Sequence, residues 1–158
     1  KWVAVIGLYN DRPYEIFTGK AKGFFVPEWV TKGCVIKNKE NEISRYDFQF
    51  QDKEGFNITM EGLSRQFNKE YWNYAKLISG ILRHGMPLPY VVDIVDNLLL
   101  DSDTINTWKN GVVRALKKYI PDGKKKKKGK CPNCNNEGSL IYREGCITCT
   151  GCGYNGCE

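Results

Sequence analysis

Seven cysteines occur in the 158-residue chain, and six of them fall in its last 28 residues, from Cys131-Pro-Asn-Cys134 to Gly156-Cys-Glu158. A segment that short cannot bury enough apolar surface to fold by itself, so a metal or disulfides must hold it together. Cys131-x2-Cys134 and Cys149-x2-Cys152 are two C-x2-C pairs 14 residues apart. At that spacing two thiolate-bearing turns can close a tetrahedral Zn2+ site across a β-hairpin. Pro132 stiffens the first turn. Asn135 and Gly153 each follow the second cysteine of a pair, where the backbone must swing towards positive φ. A disulfide cluster or an iron–sulfur site is the alternative use of the same residues.

Cys146 and Cys157 are not needed by that site. A thiol beside the carboxyl terminus, on a tail carrying Gly151, Gly153 and Gly156, can meet a partner disulfide, which thiol–disulfide exchange requires. Cys146 and Cys157 are therefore the candidate redox pair, against the plainer reading of an exposed passenger and a small hairpin residue. A second ligand set is equally legal by spacing. Cys131, Cys134, Cys146 and Cys149 would bind the metal and leave Cys152 and Cys157 as a C-x4-C redox pair. The glycines of Cys149-Thr-Gly-Cys-Gly-Tyr154 favour the first set.

The elements that position these residues form an α+β chain: a small antiparallel sheet, about three helices, a flexible Lys-rich linker and a C-terminal zinc ribbon. Residues 1–120 make the α+β domain, with sheet over 1–66 and helices over 67–120; 121–130 is the linker and 131–158 the ribbon. Strands are expected at 2–9, 14–18, 34–38, 44–51 and 56–60, with 24–30, interrupted by Pro27, as a loop or edge strand. Helical periodicity begins at Asn68, a candidate N-cap, and stops at Gly85; a second helix over 90–100 presents Val91, Ile94, Val95 and Leu98. A third, capped by Ser102 or Asp103, carries Ile105, Trp108, Val112, Ala115, Leu116 and Tyr119. In the tail, 139–142 and 146–148 read as strands around a turn at 143–145. Cys34, with no histidine near it, reads as a small buried hydrophobe. His84, the only histidine, reads as a helix C-terminal dipole partner.

The formal net charge is +6. Between residues 114 and 130 stand nine basic residues and one acid, a local +8 that leaves −2 for the rest. Lys124 to Lys128 with Lys130 read as a self-repelling, solvated spacer between core and ribbon. Two aspartates, Asp93 and Asp96, on the second helix argue against a helix-turn-helix. No apolar run is long enough to span a bilayer, and a basic-then-apolar secretory start is lacking, so reduced cysteines in a cytoplasm are expected. The opening at Lys1-Trp2, without methionine, is expected of a piece of a longer polypeptide.

Three stretches carry a resemblance. Gly7-Leu-Tyr-Asn-Asp-Arg-Pro-Tyr-Glu-Ile-Phe17, Leu82-Arg-His-Gly-Met-Pro-Leu-Pro-Tyr-Val-Val92 and Glu144-Gly-Cys-Ile-Thr-Cys-Thr-Gly-Cys-Gly-Tyr-Asn-Gly-Cys157 resemble the C-terminal region of adenosylcobalamin-dependent, class II, ribonucleotide reductases. The resemblance implies a region that follows a catalytic α/β barrel. It also implies tail cysteines, here Cys131, Cys134, Cys146, Cys149, Cys152 and Cys157, that relay electrons to an active-site disulfide. Adenosylcobalamin, the nucleotide sites and the radical cysteine would belong to the barrel, which this chain lacks, so the chain alone is not expected to reduce ribonucleotides to deoxyribonucleotides. The implied partners are the catalytic domain or subunit and a thioredoxin-like or other protein reductant, and a homo-oligomer is allowed. Two other classes compete: a nucleic-acid-binding zinc ribbon with a basic arm, against which stands the reading of the lysine run as a solvated spacer, and a structural or oligomerisation module.

Overall fold

The computed structural model describes residues 1–20, 26–40 and 42–157, in two compact units, Lys1–Gly80 and Ile81–Glu158. In the first unit β1 (Trp2–Tyr9) and β2 (Arg12–Lys20) pair antiparallel around the turn residues Asn10 and Asp11, both at positive φ. Two consecutive left-handed residues give the turn the twist a tight hairpin needs. β3 (Cys34–Glu40), β4 (Ile43–Gln51) and β5 (Asn57–Met60) form a separate three-stranded meander in the order β3-β4-β5.

The expected single sheet is thus two sheets. They meet through side chains rather than backbone: Phe17 of β2 lies against Tyr46 of β4, ring centroids 5.1 Å apart, in a cluster with Phe48, Phe50, Leu63 and Phe67. Residues 26–33 form no strand, and the rest of the expected segment at 24–30 lies outside the described residues. Asp47, which the alternation of Tyr46, Phe48 and Phe50 with Asp47 and Gln49 assigns to the solvent side of β4, is buried. Its carboxylate accepts from Gly62 N at 2.8 Å and Asn38 Nδ2 at 2.6 Å and pairs with Arg45. Burial opposes its ionisation, but the Gly62 N–H, Arg45 and Asn38 outweigh that and hold its carboxyl below the usual range.

A one-turn helix, α1 (Leu63–Gln66), follows left-handed Gly62; the sequence reading had sheet there, because four residues carry no periodicity. In α2 (Lys69–Arg83) Asn68 Oδ1 accepts from Glu70 N at 2.8 Å, and Gly85 at φ 81° ends the run, as the cap residues predict. Its Tyr71, Ala75 and Ile78 are buried. Ser79, also buried, ties α2 to β2 by accepting from Ile16 N and donating to Ile16 O. Cys34 is exposed rather than buried, because it sits at the start of an edge strand of the meander.

In the second unit α3 (Leu88–Asp96) starts two residues earlier than expected, at the N-cap Pro87, and ends four earlier. It buries Leu88, Val91, Val92 and Val95, leaving Ile94 exposed: the buried stripe shares Val91 and Val95 with the one the spacing singled out and is rotated from it by about a sixth of a turn. α4 (Asp103–Lys117) is capped by Ser102, whose Oγ accepts from Ile105 N, and buries Ile105, Trp108, Val112, Val113 and Leu116. No described helix is long and apolar enough to cross a membrane.

The last sheet has the order β6 (Leu140–Arg143), β7 (Cys146–Cys149), β8 (Asn155–Gly156). Glu144 and Gly145, at φ 50° and 77°, close the two-residue β6–β7 hairpin. The lysine segment before it keeps most of its ammonium groups in solvent. Its backbone, however, is held along β6: Gly123 N donates to Tyr142 O, Tyr142 N to Lys124 O and Lys126 N to Leu140 O. Charge repulsion keeps the side chains apart but does not compete with hydrogen bonds to an otherwise unpaired strand edge. Lys127 Nζ also lies 4.0 Å from the Tyr90 ring centroid on α3.

Candidate functional site

Two turns of the same construction carry the four thiols. In the first, Asn135 N donates to Cys131 O at 2.8 Å and Cys131 N to Asn136 O at 3.1 Å; in the second, Gly153 N donates to Cys149 O at 3.0 Å and Cys149 N to Tyr154 O at 2.8 Å. Asn135 and Gly153 stand at φ 54° and 73°, the positions and sign that the sequence demanded. The pairing of β6 with β7 brings the second turn over the first.

The sulfurs of Cys131, Cys134, Cys149 and Cys152 lie within 4.8 Å of one another and could hold a metal ion. Cys131 and Cys152 are 3.6 Å apart, Cys134 and Cys149 3.7 Å. A tetrahedral ion with Zn–S bonds of about 2.3 Å requires sulfur–sulfur edges of about 3.8 Å, so the donor set and its size are compatible with zinc. Cys131 and Cys149 are buried at the base of the cluster, Cys134 and Cys152 exposed at its rim.

Electrostatics fit a cation at the centre. The Ser139 hydroxyl, 3.1 Å from Cys149 Sγ, and the Cys152 and Gly151 N–H groups bring Cys149 down to about 6 against the opposing effect of burial. The Asn133 amide and the Tyr154 N–H lower Cys152. Cys134 also receives an N–H, from Asn136, but burial and the other three cysteines together push it up to about 12. A divalent ion held by four thiolates would balance their mutual repulsion, and the N–H and hydroxyl groups around Cys149 and Cys152 are placed to support the charged form.

Cys146 and Cys157 stand outside this cluster, joined as a disulfide with Cα atoms 4.9 Å apart. The β7–β8 register explains the pairing: Thr148 faces Asn155 and Ile147 faces Gly156, and one step further Cys146 faces Cys157. Cys152, the alternative partner of Cys157, has its sulfur among the four-thiol group. Ser139 was invisible in the sequence. It lies ten residues from Cys149, and only strand pairing brings them together; Asn133, inside the first C-x2-C, could have been found by position.

Fold and site together define an α+β protein that ends in a small antiparallel sheet with a four-cysteine candidate metal centre. The chain belongs to the family described as the NrdJ homologue C-terminal domain, whose model matches residues 1–121. It is therefore an NrdJ-related C-terminal region, with a ribonucleotide-reductase-associated role and a catalytic reductase as partner. The match stops before Cys131, so the cysteine sheet stands on its own geometry. No curated protein and no solved structure is significantly similar to the chain.

Proposed function

We propose that this chain is the electron-relay end of an adenosylcobalamin-dependent ribonucleotide reductase, with Cys131, Cys134, Cys149 and Cys152 as zinc ligands and Cys146 and Cys157 as the redox pair. The observation that carries the reading is the separation of roles among six thiols: four converge at metal-ligand distances, while the other two face each other on adjacent strands. Bound at the four thiolates, zinc supplies structure, cross-linking two turns that have almost no core of their own. Adenosylcobalamin belongs to the catalytic part of the enzyme, and no residue of this chain is assigned to it.

The pair works by exchange. In the reduced state Cys157, the more exposed of the two, attacks the disulfide left in the catalytic domain after turnover, forming a mixed disulfide. Cys146, across the strand pair, displaces it, leaving a dithiol in the catalytic domain and the Cys146–Cys157 disulfide here; an external dithiol then returns two electrons and two protons. Because residues 123–126 are fastened to β6, the sheet with its preceding segment is the unit that presents the pair.

The test is turnover in the assembled reductase. Changing Cys146 and Cys157 to Ser should abolish reduction driven by a protein dithiol while zinc content stays at that of the unmodified chain. Undiminished turnover with that reductant would reject the pair.

A further inference from the structure

The Cys146–Cys157 disulfide forms part of the wall of a cleft of about 610 Å3 between the end of α4 and the cysteine sheet. That is within the size range that takes a small ligand or a short peptide segment. Five basic residues from three stretches converge on it: Arg114 and Lys117 from the last turn of α4 with Lys118 just beyond, Lys126 from the segment held along β6, and Lys130 before the first cysteine turn. Two acids, Asp96 and Glu144, oppose them, a net +3. The tip of the β6–β7 hairpin is fixed against this wall. Glu144 N donates to Asp122 Oδ1 at 2.8 Å, and a Cβ at Gly145 would come within 3.4 Å of Lys118 Cα.

A concentration of cations around one disulfide has a chemical consequence, because exchange begins with an anionic sulfur approaching it. We infer that this cleft is the docking site of the reductant, and that it selects a thiol flanked by carboxylates. The inference rests on the redox role proposed above for Cys146 and Cys157. The carboxylates seat on the basic wall while the reductant's thiolate attacks Cys157 Sγ. The Cys146–Cys157 bond breaks, a reductant–Cys157 bond forms, and Cys146 leaves as a thiolate that takes up a proton. The reductant's second thiol, giving up its proton, then displaces Cys157; the reductant ends as a disulfide and the pair has gained two electrons and two protons.

The test uses the full zinc-loaded chain in its disulfide form and two synthetic peptides with the same Cys-Gly-Gly-Cys core, one flanked by glutamates and one by lysines. Reduction is followed by acid quench, alkylation and intact mass, and each rate is normalised to that peptide's rate on a neutral small disulfide. At about 10 mM salt, where the screening length is about 30 Å, the glutamate peptide should be roughly tenfold faster; at about 1 M salt the advantage should vanish. Arg114→Glu with Lys118→Glu should invert the preference. Equal normalised rates at low salt on the unmodified chain overturn the inference, even where the charge-reversed variant fails to fold. Glutathione against mercaptoethanol checks the occupant, which is the acidic surface of a protein dithiol: an advantage confined to the peptide supports it, and an equal advantage for glutathione overturns it in favour of a free anionic thiol. Because the assay reads only this disulfide, a glutamate preference with no turnover defect in the Cys146/Cys157 variant keeps the cleft and removes the relay. The opposite pattern removes the cleft alone.

Discussion

Replacing Cys131 by Ser tests the metal centre at its most constrained point. Cys131 is fully buried, its sulfur lies 3.6 Å from that of Cys152, and its backbone makes both hydrogen bonds that shape the first turn. A serine keeps the size and the backbone but removes the thiolate. Structural zinc binding of about 10–16 kcal/mol, shared among four thiolates, amounts to roughly 2.5–4 kcal/mol per ligand. At about 1.4 kcal/mol per factor of ten, the variant should bind zinc more weakly by two to three orders of magnitude. Competition with a chromophoric chelator at neutral pH measures this, with Cys34→Ser and Cys146→Ser as variants that should leave the affinity unchanged. The cluster beneath the site consists of Cys131, Leu140 and Cys149 with half-buried Ile147 and Tyr154. A core that small should not hold β6–β8 without metal, so amide exchange in this sheet should rise sharply in the variant. Unchanged zinc affinity in Cys131→Ser would refute the site. A loss in Cys146→Ser equal to that in Cys131→Ser would restore the alternative ligand set.

Further outcomes can be measured on the same chain. Asp47→Asn should lower stability by roughly 1.5–3 kcal/mol in denaturant titrations, because it replaces charge-assisted bonds to Arg45, Asn38 and Gly62. Since the folded-state pKa of Asp47 lies below its unfolded value of about 3.9, its stabilisation is present above that pH and is lost as pH falls through the folded value; the variant should lack this part of the acid transition. Trp108→Ala, at a side chain only 2% exposed, should cost about 3–5 kcal/mol in thermal or chemical unfolding of the second unit. Gly145→Ala should cost about 1–2 kcal/mol, because an L-residue is strained at φ 77°; equal stability would remove the strain argument for this turn.

Much of the local structure was legible because it depends on nearest neighbours. Asn68, Gly85 and Ser102 mark helix ends through bonds that reach no further than four residues, and all three act where they stand. The two C-x2-C turns were legible for the same reason: the bond from residue i+4 back to the first cysteine, and the left-handed residue that follows the second, are written in six consecutive residues. Asp47 shows where this stops. Alternation along β4 put it outside, and the arrival of Gly62 from beyond β5 and of Asn38 from β3, beside Arg45, supplies the donors that let a carboxylate stay buried.

The lysine run divides the two kinds of information most clearly. Its charge, composition and solvent exposure follow from sequence, because like charges resist burial whatever surrounds them. That its backbone lies along β6, and that Lys126 and Lys130 join Arg114, Lys117 and Lys118 around one disulfide, is decided by strand edges and helix ends far apart in the chain. The same holds for the cysteines. Sequence alone implied that six thiols in so short a segment hold it together through a metal or disulfides, and spacing left two ligand sets open. Strand register, a property of pairing rather than of any one segment, gathered Cys131, Cys134, Cys149 and Cys152 into one cluster and set Cys146 opposite Cys157.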